Sequence, residues 1–193
     1  AKPAWRLYRS RGDVSREQPG ERGYRSRMEL GLHTDSDNIV MMACLRQAKS
    51  GGANRFASAP AIYNEILRTK PHLLDTLFNG FRYHWRGEEA HGEPPVTEYR
   101  VPVLSQVDGE LSCVFLREFI EMAADDLGEP LSPLEFEAID YFQSIAFRKD
   151  MCLHVRLDPG EAFLINNFTV LHSRAKFEDY DEPDRHRHLL RLW

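Results

Sequence analysis

Groups able to share one ligand stand close together in MELGLHTDSDN, residues 28–38. If the chain is extended there, His33 and Asp35, two positions apart, project from the same face and bring an imidazole and a carboxylate to one point. That pair can fill two positions of a metal, although an H-x-D taken alone is ordinarily a solvated surface pair. The segment LINNFTVLHSRAKF adds His172, at the end of an apolar strand about 140 residues later. Two histidines and one carboxylate on one face hold a metal and leave its remaining positions open.

The chain's last residues, RHRHLLRLW, add a second kind of chemistry. Strand alternation turns Arg187, Leu189 and Arg191 one way and His186, His188, Leu190 and Leu192 the other. A guanidinium is a planar fork that grips a carboxylate with two parallel hydrogen bonds, so Arg187 is suited to anchoring a dicarboxylic cosubstrate beside the metal. The plainer alternative is a salt bridge to an acidic residue at the core edge.

These groups need a sheet to carry them, and the sequence supplies one. Apolar runs between 28 and 47 read as strands, with Gly51-Gly52 punctuating them before ANRFAS. Between residues 58 and 78 the period turns helical: Ile62, Ile66, Leu67, Leu73, Leu74 and Leu77 predict two short helices, with Pro60 in a first turn and Pro71 interrupting. VPVLSQV and ELSCVF flank Asp108-Gly109 as a hairpin does. Ser132, Pro133 and Glu135 form a capping box that opens a helix over 132–147, whose Leu134, Phe142 and Ile145 are expected to pack against the sheet. CLHVRL, AFLINN, VLHSRAKF and HLLRLW then read as successive strands.

Composition narrows the function classes. With 193 residues and 42% hydrophobic content, the chain is large enough for one globular domain, read here as 28–193 behind an extended lead-in, 1–27, that carries seven arginines. Acidic and basic residues are interspersed around a net charge of -5, which argues against a phosphate-binding surface and so against nucleic acid, and favours a small ligand. Cys44, Cys113 and Cys152 lack C-x-x-C spacing and read as buried free thiols. No apolar run suits a membrane span and no signal peptide is visible, so a cytoplasmic protein is expected. Residues 83–100, rich in Gly, Pro and Glu, form a long connection of the kind that serves as a lid.

Taken in order, H-T-D, then Gly-Gly, then N-N-x-x-x-L-H-S-R-x-x-F-x-D, then R-x-x-x-R resemble the Fe(II)- and 2-oxoglutarate-dependent dioxygenases of the taurine dioxygenase-like, or clavaminate synthase-like, family, over about Gly23 to Trp193. The resemblance implies a double-stranded β-helix, or jelly roll, that is mainly β with flanking helices. It implies His33, Asp35 and His172 as iron ligands, Arg187 on the distal carboxylate of 2-oxoglutarate, and Arg191 reaching substrate or cosubstrate. Asn54 stands where taurine dioxygenase has a threonine that contacts 2-oxoglutarate, and is a second cofactor-binding candidate. The implied reaction is hydroxylation, or a similar oxidation, of a small molecule by O2, with decarboxylation of 2-oxoglutarate to succinate; halogenating relatives replace the carboxylate ligand, and Asp35 is present.

Family members carry on the order of a hundred residues before H-x-D, and this chain begins without Met, so part of the barrel or of its oligomer surface is expected to be missing. Two other classes stay open: a catalytically silent barrel that binds metal or carboxylate as a sensor or scaffold, and a zinc hydrolase using the same ligands. Oligomeric state is open too, a homo-oligomer included. His72, His84, His91 and His154 have no partner pattern and read as structural or surface groups, with His84 notable for its place in the lid. His186 and His188 read as surface or second-layer groups, and Trp85, Arg86 and Arg117 as weak substrate-contact candidates.

Overall fold

Strand β2, Ile39–Arg46, is apolar along most of its length and is paired on both edges. The computed structural model describes residues 5–9 and 26–192. Most of the 1–27 lead-in lies outside the described residues, but Trp5–Arg9 forms β1, which the sequence reading did not anticipate. It pairs antiparallel with β11, His188–Leu192, and the first sheet runs in the order β1-β11-β2-β8, where β8 is Ala162–Asn166.

A second antiparallel sheet has the order β7-β4-β9, made of Cys152–Val155, Asn54–Ser58 and Val170–Arg174. The short strands β3, Ser50–Gly51, and β10, Phe177–Glu178, pair beside it. The two larger sheets meet where the Phe56 ring of β4 stands edge-on to the Phe163 ring of β8, with centroids 4.8 Å apart. Every strand expected after residue 150 is present. MELGLH, however, is not a strand: among the described residues its only ladder contact is an isolated bridge from His33 to His172.

Helices cover the other face of the second sheet. Helix α1, Ala59–Thr69, is capped by the Ser58 side chain, which accepts from the Ala61 N–H, and Pro60 lies in its first turn. Pro71 opens a one-turn 3-10 helix that leads into α2, Leu74–Asn79, so the predicted interruption holds. The hairpin β5, Leu104–Val107, and β6, Glu110–Cys113, turns at Asp108 and Gly109, whose φ of 51° and 85° are the left-handed values a tight hairpin turn needs.

Helix α3, Arg117–Leu127, was not foreseen. Helix α4, Pro133–Ala146, starts on the predicted capping box, with the Ser132 hydroxyl accepting from Glu135 N–H and the Glu135 carboxylate from Ser132 N–H. Its Phe142 and Ile145 are buried with Ile62, Ile66 and Leu77 of the helices and with Ala57 and Leu171 of the sheet. Leu134 is a correction: it is 46% exposed, because in the first turn of α4 it points past the end of the core. Leu67 likewise faces solvent. The three cysteines are free and buried, as expected.

Candidate metal and carboxylate site

The segment carrying His33 and Asp35 is fixed by its backbone and by the residue between them. Leu30 N–H donates to Arg174 O, and His33 and His172 exchange N–H to O bonds of 3.0 and 2.9 Å, so the two histidines are held side by side. Thr34 points the opposite way and is fully buried. Its N–H donates to Phe115 O, and its hydroxyl accepts the Phe115 N–H at 2.9 Å. With Thr34 anchored inward, His33 and Asp35 are both turned to the other side, as the alternation predicted, though without a regular strand.

Asp35 has a further clamp that sequence reading missed. Asn167 is 1% exposed; its carbonyl oxygen accepts the Asp35 N–H at 2.9 Å, and its amide donates to Asp35 O at 2.8 Å and Asp37 O at 2.6 Å. One buried amide thereby ties the H-x-D turn to the turn between β8 and β9. The adjacent Asn166-Asn167 pair was a visible signal, but its partner 132 residues away was not.

The three side chains converge. Nε2 of His33 lies 3.8 Å from one Asp35 oxygen and Nε2 of His172 3.3 Å from the other, and the donor atoms all fall within 4.8 Å of one another. Neighbouring donors on an octahedral ion with bonds of about 2.1 Å are about 3 Å apart, so small side-chain adjustments suffice to hold one ion. His33 Nδ1 faces the Gly31 carbonyl at 2.8 Å. A carbonyl can only accept, so that nitrogen carries the proton and Nε2 presents its lone pair to the site. Burial lowers the His172 pKa to about 4, keeping its imidazole neutral and free of proton competition near pH 7. No other cluster of this kind occurs among the described residues, so the remaining histidines stay outside the site.

The arginines follow the alternation read from the sequence. Arg187, Leu189 and Arg191 all line one pocket with His33, His172 and Asn54, walled by Met42 and Phe163. This holds despite a register shift between His188 and Leu189. Arg187 is 9% exposed; its N–H donates to Asp179, its guanidinium reaches Gly52 O at 3.4 Å, and it lies 5.2 Å from the Phe177 ring centroid. Burial lowers its pKa to about 10, so it is still cationic at neutral pH. It forms no direct salt bridge with a carboxylate among the described residues, although the nearby Asp179 carboxylate offsets part of the cost of its burial.

Arg191 instead ion-pairs with Asp35. Asn54 is 5% exposed and its amide donates to Val155 O at 3.4 Å, so only part of its hydrogen-bonding capacity is left for a ligand. Gly52 was legible only as punctuation; it sits at φ +71°, and a Cβ there would lie 3.1 Å from Arg187 Nε. The space beside the guanidinium therefore depends on its lacking a side chain.

The loop at 83–100 contains no helix or strand and is tied down at its start. His84 Nε2 is 2.9 Å from Asp126 and Arg86 pairs with Glu118, both on α3. Arg117 is engaged with Glu121, Asp140 and Gln143. Among the described residues, neither the loop nor Trp85, Arg86 or Arg117 lines the pocket. His188 packs beside Arg46, with 3.4 Å between the ring nitrogen and the guanidinium.

Residues 2–193 match the family model described as taurine catabolism dioxygenase TauD, TfdA family. The chain is 39% identical over 175 residues to FR-33289 synthase of Streptomyces rubellomurinus (strain ATCC 31215), covering 89% of this chain and 51% of that protein. It is 32% identical over 167 residues to taurine hydroxylase-like protein SAT17 of Stachybotrys chartarum (strain CBS 109288 / IBT 7711), covering 84% of this chain and 41% of that one. It thus spans about half the length of the curated relatives it matches.

Among solved structures, asparagine oxygenase in complex with Fe(II), 2S,3S-3-hydroxyasparagine and succinate matches with a TM-score of 0.69 at 20% identity, over 89% of this chain and 51% of that one. The non-heme iron oxygenase OrfP in complex with Fe and alpha-ketoglutaric acid matches at 0.66 and 14% identity, over 98% and 55%. These likenesses bear out the expected fold, a jelly roll with flanking helices. No helix of the described residues is long and apolar enough to cross a membrane.

Proposed function

Because the chain belongs to the taurine catabolism dioxygenase TauD, TfdA family, we propose that it carries the active site of an Fe(II)- and 2-oxoglutarate-dependent oxygenase that hydroxylates, or similarly oxidises, a small molecule. The observation that carries this reading is the juxtaposition of two unlike sites in one pocket. His33 and His172 line it and converge with Asp35 into a set able to hold a metal, and Arg187 is a buried cation in the same lining without a direct carboxylate salt bridge among the described residues. A buried charge is costly unless something neutralises it; the nearby Asp179 carboxylate offsets only part of the cost of burying Arg187, and a dicarboxylate chelating the adjacent metal would supply the rest.

Bound Fe(II) would activate O2 so that 2-oxoglutarate loses CO2 and becomes succinate, one oxygen atom entering succinate and the other the substrate. The chain's own contribution is placement. His33 and His172 offer Nε2 as ligand atoms, Asp35 adds a carboxylate, and Asn167 and Thr34 hold the turn that aims it. Arg187 fixes the cosubstrate by its far carboxylate, and Asn54 supplies a second polar contact. Met42, Phe163 and Leu189 keep that wall apolar and exclude water. Asp35 fills the position that halogenation would need vacant, which favours oxygen insertion. Arg191, paired with Asp35 here, lies within reach of substrate or cosubstrate.

We further propose that residues 83–100 act as a substrate-side loop hinged near the His84–Asp126 contact, and that the whole is a cytoplasmic enzyme using a small-molecule substrate and O2. The test is oxygen-dependent conversion of 2-oxoglutarate to succinate with Fe(II). His172→Ala is expected to reduce it to background while the protein stays folded. Turnover in that variant equal to wild type would refute the assignment. A barrel that binds metal and 2-oxoglutarate without yielding succinate would instead be the silent scaffold, a reading kept in view by the half-length match to the relatives.

A further inference from the structure

Resting on that functional reading, we propose that Phe177 is a positioning residue for Arg187, its ring face setting the direction in which the guanidinium fork meets the cosubstrate carboxylate. Phe177 is 3% exposed, lines the pocket and is engaged by two guanidiniums: Arg174 at 4.8 Å and Arg187 at 5.2 Å from its ring centroid.

The two arginines are held in very different ways. Arg174 donates to the carbonyls of Ser26 and Met28 at 2.6 and 2.7 Å, which fixes it whether or not the ring is there. Among the described residues Arg187 has one long guanidinium hydrogen bond, 3.4 Å to Gly52 O, and its stronger 2.7 Å bond to Asp179 comes from the backbone N–H, not the fork. With so little holding the fork, the aromatic face is the main surface that defines its plane.

The ring itself is placed by backbone. Phe177 N–H donates to Arg27 O at 3.1 Å, and Phe177 pairs with Gly51 across β10 and β3. That approach requires a glycine, since a Cβ on Gly51, at φ +73°, would lie 2.2 Å from Lys176 O. Gly52 and Phe177 thus flank the Arg187 side chain, and Phe177 lines the same pocket as His33 and His172. A ring held this firmly lowers the entropy Arg187 must lose when it binds, and so raises affinity through the arginine.

The experiment titrates 2-oxoglutarate into the Fe(II)-loaded 193-residue chain without oxygen, for wild type, Phe177→Leu, Phe177→Met and Phe177→Tyr, with folding followed by circular dichroism. Loss of the ring in the Leu and Met variants is expected to weaken 2-oxoglutarate binding by about 5- to 10-fold, and Tyr, which keeps the face, to stay within about twofold of wild type. Fe(II) affinity should be unchanged in all of them. In an Arg187→Lys background the further loss from Phe177→Leu should shrink to under about twofold, because the two residues act on one interaction.

Cosubstrate affinity unaltered in the ring-less variants, equal losses for iron and cosubstrate, or a full Phe177→Leu effect in the Arg187→Lys background would each overturn the inference. Absence of 2-oxoglutarate binding in wild type would overturn the functional reading along with it.

Discussion

Arg187→Ala is expected to weaken 2-oxoglutarate binding by about 100-fold or more, with Fe(II) affinity nearly unchanged, because two charge-assisted hydrogen bonds in a buried site are each worth about 1.5–3 kcal/mol. Arg187 lies outside the His33, Asp35 and His172 cluster, and among the described residues its hydrogen bonds are to Gly52 O and, through its backbone, Asp179, beside its contact with the Phe177 ring. Arg187→Lys keeps the charge and loses the fork, and should fall between wild type and Ala. Anaerobic calorimetry with Fe(II) and then 2-oxoglutarate separates the two affinities. An Arg187→Lys protein with wild-type cosubstrate affinity would mean that another arginine of the pocket, Arg191 or Arg174, holds the carboxylate.

Asn167→Leu is expected to lower Fe(II) affinity by about 10- to 100-fold, the usual cost of removing a group that orients a metal ligand. The substitution preserves volume but deletes three hydrogen bonds, leaving the Asp35 N–H and the Asp35 and Asp37 carbonyls without that partner. A fully buried unsatisfied backbone group costs about 1–3 kcal/mol, and these part-buried ones less, so the thermal midpoint should fall by a few degrees as well. Saturating Fe(II) should restore part of that stability, since the ion binds the folded state. Iron affinity equal to wild type in a protein of lowered melting point would reduce Asn167 to a structural clamp with no hold on the site.

The legible parts of this protein are those whose signal is local. The Ser132–Glu135 capping box, the Asp108-Gly109 turn, and the one-faced Arg187, Leu189 and Arg191 each depend on residues within a few positions, and each is found where expected. That His33, Asp35 and His172 would converge was expected on a different ground, and they do lie together: metal chemistry restricts the residue types, so their order along the chain carries information even across long separations.

What could not be read depends on contacts remote in sequence. Asn167 is an ordinary turn residue until the turn after β8 folds over the Asp35 segment. MELGLH looks like a strand, yet Thr34 is drawn to Phe115, and the segment keeps a single bridge to His172 in place of a ladder. Helix α3 has a weak signature, with only Ile120 and Ala123 buried and no side-chain cap at its start; its clearest mark is Gly128, left-handed at φ 64°, just past its end. Leu134 and Leu67 show the converse error, since an apolar residue on a helix is only buried where a neighbouring element reaches it.

The central claim is that one pocket holds iron through His33, Asp35 and His172 and a cosubstrate carboxylate through Arg187. Its most direct test is an anaerobic titration of the Fe(II)-loaded protein with 2-oxoglutarate, followed through the weak visible charge-transfer band that appears when a 2-oxo acid chelates iron. The account predicts a saturable band in the wild type that vanishes in His172→Ala, which lacks an iron ligand, and that needs far more 2-oxoglutarate in Arg187→Ala. A folded wild-type protein that gives no band, or a band of equal strength and midpoint in all three proteins, would contradict it.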